Sequence, residues 1–319
     1  MSSPTPSVPV KPLTKTLTPL VLAAVAVTVL AWASAFIVIR GVGTDFTPGS
    51  LALLRLGVGA AILAIGLVGR PWVKPSPREW LLIIGCGVMW FGVYNVALNT
   101  AEQTLDGGTT AMIVNFAPIL IALGAGVFLH EGIPKWLAIG ASVAFIGVLL
   151  IGFGTSADSA AGSGTGVIWA LVAALTYSVG VLLQKPALRR VPATQVTWLA
   201  CAIGTVTALP FTGELIVDLQ DASAASILGV VYLGVVPTAI AFSTWGYALT
   251  KMPAGQLIVS SYLVPPAAIA LGLLFLGEVP TLIAVVGGAV CLFGVVLSRR
   301  RSPEPGITRS ETVNQESLE

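Results

Sequence analysis

Two stretches decide the fold: residues 107–131, GGTTAMIVNFAPILIALGAGVFLHE, and residues 254–278, AGQLIVSSYLVPPAAIALGLLFLGE. Slid by 147 positions, the first lays Gly108 on Gly255, Pro118 on Pro265, Phe128-Leu129 on Phe275-Leu276 and Glu131 on Glu278. The same register extends outward on both sides. Gly87 meets Gly234 and Ala101 meets Ala248 upstream, and Gly140 meets Gly287 and Gly147-Val148 meets Gly294-Val295 downstream. At a shift of 145 the first apolar stretch also lies on the sixth, pairing Trp32 with Tyr177 and Arg40 with Lys185. So ordered a series marks an internal duplication.

The solvent of this duplicated unit is lipid. Of 319 residues 55% are hydrophobic and 9% charged, and the mean hydropathy is +0.93, whereas soluble domains carry about 25% charged residues. This excludes a soluble globular protein, a disordered chain and a nucleic-acid binder, and a net charge of +2 implies no polyanionic partner. The 35 glycines and 21 prolines are scattered through apolar segments, where membrane helices tolerate them. Cys86, Cys201 and Cys291 stand singly in separate apolar runs and His130 has no second ligand nearby. They are read as packing and surface residues, because metal sites need several converging ligands. No cofactor is expected.

A helix needs about 20 apolar residues to cross a bilayer, and ten stretches qualify: Leu20–Ile39, Ser50–Val68, Trp80–Asn99, Gly107–Leu129, Trp136–Phe153, Gly166–Gln184, Ala193–Phe211, Ala225–Leu249, Ala254–Leu276 and Thr281–Leu297. Lys11, Lys15 and the small-x-small run Ala33-Ser34-Ala35 imitate a secretory signal. The stretch after those lysines is nearly of spanning length and belongs to the repeat, so it is read as a retained helix. Cytoplasmic loops keep Lys and Arg. An inside N-terminus puts fourteen of the sixteen basic residues in the cytoplasm, leaving Arg40 outside and Arg55 within a span. The opposite loops carry Asp45, Glu102, Asp106, Asp158, Glu214, Asp218, Asp221 and Glu278. The expectation is a multi-pass protein of the inner (plasma) membrane with both termini cytoplasmic.

Five helices per copy is an odd number, so the second copy enters the bilayer from the opposite side. The expected fold is therefore an all-α membrane protein of ten transmembrane helices in two inverted five-helix repeats. Residues 20–153 and 154–298 form the repeats, residues 1–19 a disordered tail and residues 299–319 a basic and polar tail. Inverted repeats are an architecture of many secondary transporters. Two similar halves can exchange conformations at similar energy, so that access alternates between the two sides.

Three motifs carry a family resemblance. Trp32-Ala33-Ser34-Ala35-Phe36 through Arg40, then Pro48 with Leu54-Arg55, resemble the first two helices of EamA-type transporters in the drug/metabolite transporter superfamily. The paired endings Phe128-Leu129-His130-Glu131 and Phe275-Leu276-Gly277-Glu278 resemble that family's repeated proline, apolar run, leucine, glycine, glutamate signature, with His130 in place of the first glycine. The resemblance spans roughly residues 20–298. It implies ten helices, a cavity between the repeats and export or exchange of small metabolites.

A ligand is expected near the midplane, where matched prolines interrupt helices of the two halves. Pro118 and Pro265 lack an N–H, which frees the carbonyls of Val114 and Ser261, and Asn115 and Tyr262 stand three residues before each proline. The alternative is a packing kink satisfied by a neighbouring hydroxyl. Asn95 and Asn99 share one face of the third span, Trp90 and Tyr94 another, and Thr238, Phe242 and Trp245 form a stripe on the eighth. Trp32, Tyr94, Tyr177, Trp245 and Tyr262 are read either as cavity lining or as core, and Trp80, Trp136 and Trp169 as interfacial anchors. Arg55, the sole charge well inside a span, either meets a ligand or snorkels. Glu131 and Glu278, each followed by a proline, suit helix starts.

No span interior holds Asp, Glu or His, so the usual proton relay is missing. There is no GxxxxGK[ST], HExxH or GxSxG motif, so neither an ATP-driven pump nor an enzyme is expected. The residues point to a carrier for a small-molecule substrate, with amino acids or related amphipathic compounds foremost. A nucleotide-sugar-like exchanger and a non-transporting scaffold or receptor are the alternatives, and the oligomeric state is left open. A tag on the C-terminus should be reached by antibody in spheroplasts only after the membrane is permeabilised.

Overall fold

Thr18, Thr47, Ser76, Asp106, Ser223 and Thr281 each cap a helix, the side-chain oxygen accepting from the backbone N–H three residues on. Capping satisfies donors that lipid cannot, and a proline in the first turn after Thr18, Thr47 and Ser76 presets the helical φ. In the computed structural model, which describes residues 18–128, 135–156, 163–251 and 260–298, all regular structure is helical. The expectations for both tails, for His130, Glu131, Pro134 and Asp158 and for the start of the ninth stretch fall outside the described residues.

In chain order the helices are α1 (Pro19–Val42), α2 (Pro48–Ile65), α3 (Pro77–Ala101), α4 (Gly107–Val114), α5 (Ala117–Phe128), α6 (Lys135–Ser156), α7 (Ser163–Ala187), α8 (Ala193–Asp221), α9 (residues 224–251), α10 (Ser261–Leu276) and α11 (Leu282–Leu297). Among the described residues α1, α2, α3, α7, α8 and α9 are long and apolar enough to cross a membrane, and the segments Gly107–Ile121, Lys135–Ile151, Ser261–Leu276 and Leu282–Leu297 are shorter apolar helices. The chain is thus an integral membrane protein. Leu81, Leu228, Leu274 and Leu282 are among many large apolar side chains left exposed, a surface suited to lipid.

One expectation needs correction and two gain detail. The fourth stretch is interrupted, as its proline leads one to expect. It breaks at Asn115-Phe116, where Asn115 leaves helical geometry and Phe116 donates its N–H to the Ile113 carbonyl, because Pro118 has no N–H to continue the ladder. The seventh stretch does not end at Phe211. After a tight turn at Leu209–Phe211 the helix runs on to Asp221, so Glu214 and Asp218 lie on helix, where Thr47 and Ser50 bind them. Glu102 lies in the turn after α3, as expected of a loop residue, but is buried there.

The duplication is visible in local geometry. α3 widens into a π-helical segment at Gly87–Val93 and α9 does so at Gly234–Ile240, 147 positions later. It is also visible in packing. A Cβ on Gly140 would strike the Gly294 backbone and one on Gly147 the Gly287 backbone, so α6 and α11 run antiparallel in backbone contact. Glycine is required at such an approach. These four glycines are two equivalent pairs exchanging partners, the mark of a two-fold axis. Elsewhere Gly87 abuts Ile203 and the Ala200 carbonyl as Gly234 abuts Val58 and the Arg55 carbonyl, and Gly204 abuts Phe91 as Gly59 abuts Thr238. Every one of these contacts crosses from one half to the other. α1 likewise packs on α9 and α10, while α7 packs on α3 and α5.

Gly147→Val and Gly294→Val should therefore each destabilise by about 1–3 kcal/mol through overpacking. Gly246→Ala, which faces open space, should not. Thermal unfolding of the detergent-solubilised protein checks both.

Candidate functional site

The elements that cross between halves enclose a cavity. α1 supplies Trp32, Ala35 and Phe36, α2 Arg55, α3 Trp90, Tyr94 and Leu98, and the break between α4 and α5 Val114, Asn115 and Pro118. Tyr177 enters from α7, Phe242 from α9, and Ser261 and Val264 from α10. The rings form one continuous wall. Phe242 stacks 5.8 Å from Trp32, 5.3 Å from Trp90 and 5.3 Å from Phe91 between ring centres, and Tyr177 lies 5.1 Å from Trp90 and 5.9 Å from Tyr94. Such edge and tilted contacts are each worth about 0.5–1.5 kcal/mol beyond burial.

Of the residues singled out in the sequence, Trp32, Arg55, Tyr94, Asn115, Pro118, Tyr177 and Ser261 line this cavity. Trp245 stands behind Trp32 at 5.0 Å. Tyr262 packs instead on the Phe116, Ile119 and Cys291 cluster, Pro265 is buried beside the cavity, and Asn95 donates to the Phe91 carbonyl at 2.7 Å. The carbonyl of Ser261 is not left free by Pro265, because a 3₁₀ turn lets Val264 N–H donate to it. Asn115 donates to the Ala111 carbonyl at 3.0 Å and still faces the cavity. Phe36 and Leu98 were not anticipated, although each follows an anticipated lining residue, Trp32 or Tyr94, by one helical turn.

Arg55 does not snorkel. It is 6% exposed, its Nε donates to Thr238 Oγ1 at 3.2 Å, and its Nη1 is buried with no hydrogen-bond partner. A buried guanidinium with unused donors is costly unless an anion meets it. This cation lies on the wall of an aromatic cavity.

The cavity holds about 90 Å³, well below the roughly 300–1,000 Å³ of open ligand pockets. Across Phe242 lies a second cavity of about 760 Å³, bounded by Leu63, Gly66, Arg70, Pro192, Thr194 and Tyr247. That end of the bundle carries Arg70 and the Arg190–Glu79 ion pair. The opposite end is cross-linked by polar contacts. Arg40 Nε bonds Glu278 Oε1 at 2.8 Å and its Nη1 the Glu102 carbonyl at 2.7 Å, Thr47 Oγ1 donates to Glu214 at 2.6 Å, and Ser223 N–H to Asp45 at 3.1 Å.

Comparison with known proteins fits this arrangement. The EamA-like transporter family matches residues 19–153 and again residues 164–300. A protein of Streptantibioticus cattleyicolor named "Probable terminal-alkyne amino-acid exporter" is 36% identical over 280 residues, 88% of this chain and 93% of its own. A "Probable amino-acid metabolite efflux pump" of Salmonella typhimurium is 26% identical over 281 residues, 85% of this chain and 91% of its own. A solved structure described as "Crystal structure of protein" shares the fold at a TM-score of 0.58 and 19% identity, covering 88% of this chain and 96% of that one.

Phe242 is the partition between the two cavities. Phe242→Ala should join them, so that a cysteine placed at Ser261 reacts several-fold faster with a small water-soluble thiol reagent. The native cysteines are all buried and supply the background.

Proposed function

Because the chain belongs to the EamA-like transporter family, we propose that it exports small amphipathic metabolites, amino acids or their close relatives, by alternating access through the central cavity. It is a membrane transporter and not an enzyme. The observation that carries the substrate class is Arg55: one buried cation with a free donor, set in a wall of Trp32, Trp90, Tyr94, Tyr177 and Phe242. A guanidinium takes a carboxylate, two donors at a time. The rings take an apolar side chain, and their faces attract an ammonium group. Asn115 and Ser261 offer the remaining polar contacts at the helix break. The two similar relatives named for amino-acid export support the same class. A doubly anionic nucleotide sugar would need more cations than the one that lines the cavity.

The transport cycle follows from the packing. In this reading each of the ten apolar helical regions crosses the bilayer, residues 20–153 and 154–298 form the inverted halves, and both termini face the cytoplasm of a plasma membrane. The basic end then faces inward, and the wider cavity beyond Phe242 is the cytoplasmic vestibule. The Arg40–Glu278 tie closes the outer side. Exchange of the two halves' conformations opens that side and closes the vestibule, while the rings around the contracted cavity part to admit the substrate.

Counterflow of L-amino acids with apolar side chains into proteoliposomes tests the proposal. Arg55→Gln should lower transport about 10- to 100-fold, the value of a charged hydrogen bond of about 1.5–3 kcal/mol. Asn115→Ala should lower it less, and Tyr262→Phe, behind the lining, should leave it nearly unchanged. Full transport by a normally expressed Arg55→Gln variant refutes the assignment.

A further inference from the structure

One face of α3 carries a line of oxygens for which the scaffold has no use. Asn95, Asn99 and Glu102 follow one another at spacings of four and three residues, hence on one helical face. All three are buried, and Asn95 Oδ1, Asn99 Oδ1 and both carboxylate oxygens of Glu102 have no hydrogen-bond partner. Their amide nitrogens are used, by the carbonyls of Phe91 and Pro48. What the line lacks is a donor. Glu102 lies at its outer end and is 2% exposed, beside Arg40, whose Nε donates to Glu278 and whose Nη1 donates to the Glu102 backbone carbonyl rather than to its carboxylate.

The duplicated half shows that packing alone does not call for these groups. At a shift of 147 the counterparts of Asn95, Asn99 and Glu102 are Phe242, Gly246 and Leu249, and the residue standing where Arg55 stands, by its contact with the equivalent glycine, is Ala200. None of these four counterparts carries a side chain that can form a hydrogen bond. The polar line therefore serves something other than the fold.

We propose that Glu102 is a proton-binding site of the transporter, and that its protonation is linked to occupancy of the central cavity by a carboxylate ligand. The proton adds to a carboxylate oxygen to give a neutral carboxylic acid, which supplies the missing donor, with Asn99 Oδ1 one turn away as acceptor. Burial pushes the Glu102 carboxyl well above its usual range, while Arg40 and Arg55 pull it back and Glu278 and Asp106 push it further up. Tyr94, on the same helix, also faces this field. Arg55 is the element shared with the cavity. An anion bound there cancels part of its attraction for Glu102, so anion binding favours protonation and, reciprocally, protonation favours anion binding. This linkage rests on the reading of Arg55 as the carboxylate anchor, whereas the protonation of Glu102 does not.

Infrared titration of the full chain in liposomes separates the two. A protonated-carboxyl band should be present at neutral pH, titrate above the ordinary glutamate range, vanish in Glu102→Gln and change frequency in Glu102→Asp, the variant kept for the case that the amide does not fold. The absence of such a band, or its survival in Glu102→Gln, overturns the proton site even if transport proceeds as proposed. Saturating L-methionine should then raise the midpoint of the band by about one pH unit, a tenfold change in proton affinity, and should leave it in place in Arg55→Gln. If L-methionine binds the wild type and the midpoint does not move, the linkage is overturned and the proton site stands. If counterflow shows no apolar amino acid to be a ligand, the cavity reading falls, and the band still decides for or against Glu102.

Discussion

Backbone-to-backbone contact between α6 and α11 is the constraint on which the rest of the structure depends. Gly140 against Gly294 and Gly147 against Gly287 let two helices of equivalent sequence cross antiparallel about a two-fold axis. In lipid no hydrophobic effect drives helices together, so close approach at small residues is a principal source of association. Once this pair is fixed, the remaining contacts follow in mirrored sets. α2 lies on the widened part of α9, α8 on the widened part of α3, and each half's first helix is inserted into the other half. No half can bury its own small-residue faces alone, which ties the two into one unit. The cavity forms where the crossing elements cannot close on each other.

The chemistry lies in the departures from that symmetry. Trp32 and Tyr177 are equivalent and both line the cavity, as do Val114 and Ser261. Arg55 has Ala200 as its counterpart, and Asn115 has Tyr262, which packs elsewhere. A symmetric scaffold gives two conformations of similar energy. An asymmetric lining gives a ligand one orientation in both. In the proposed cycle a cation in one half only would hold a carboxylate while the halves move around it, and a second cation in the mirrored place would compete for it.

The fold was largely legible from residues 107–131 and 254–278, because matched prolines and glycines mark backbone geometry that only those residue types allow. Much of the cavity was legible too. Aromatic residues spaced by four on apolar helices must face either lipid or the interior, and Trp32, Tyr94 and Tyr177 sit where the duplication matches or the polar spacing repeats. What stayed hidden was depth. Glu102 follows the last residue of α3 and reads as loop, yet Arg40 from α1 draws its backbone inward, and its side chain is enclosed. Glu214 and Asp218 read as loop acids, yet Thr47 and Ser50 hold them on an extension of α8.

The sequence by itself determined a membrane-embedded, duplicated, all-helical chain interrupted at Pro118 and Pro265. Hydropathy, repeat register and the missing proline N–H are local properties that need no knowledge of neighbours. Only the tertiary structure decided that Arg55 is buried beside Thr238 with an unused donor, that Phe242 divides two cavities, and that the line from Asn95 to Glu102 ends in a carboxyl without a partner. Burial and hydrogen bonding of a side chain depend on what the other half of the molecule brings to it, some 150 or more residues away for Arg55 and Thr238 (183 positions), and no local pattern encodes that meeting.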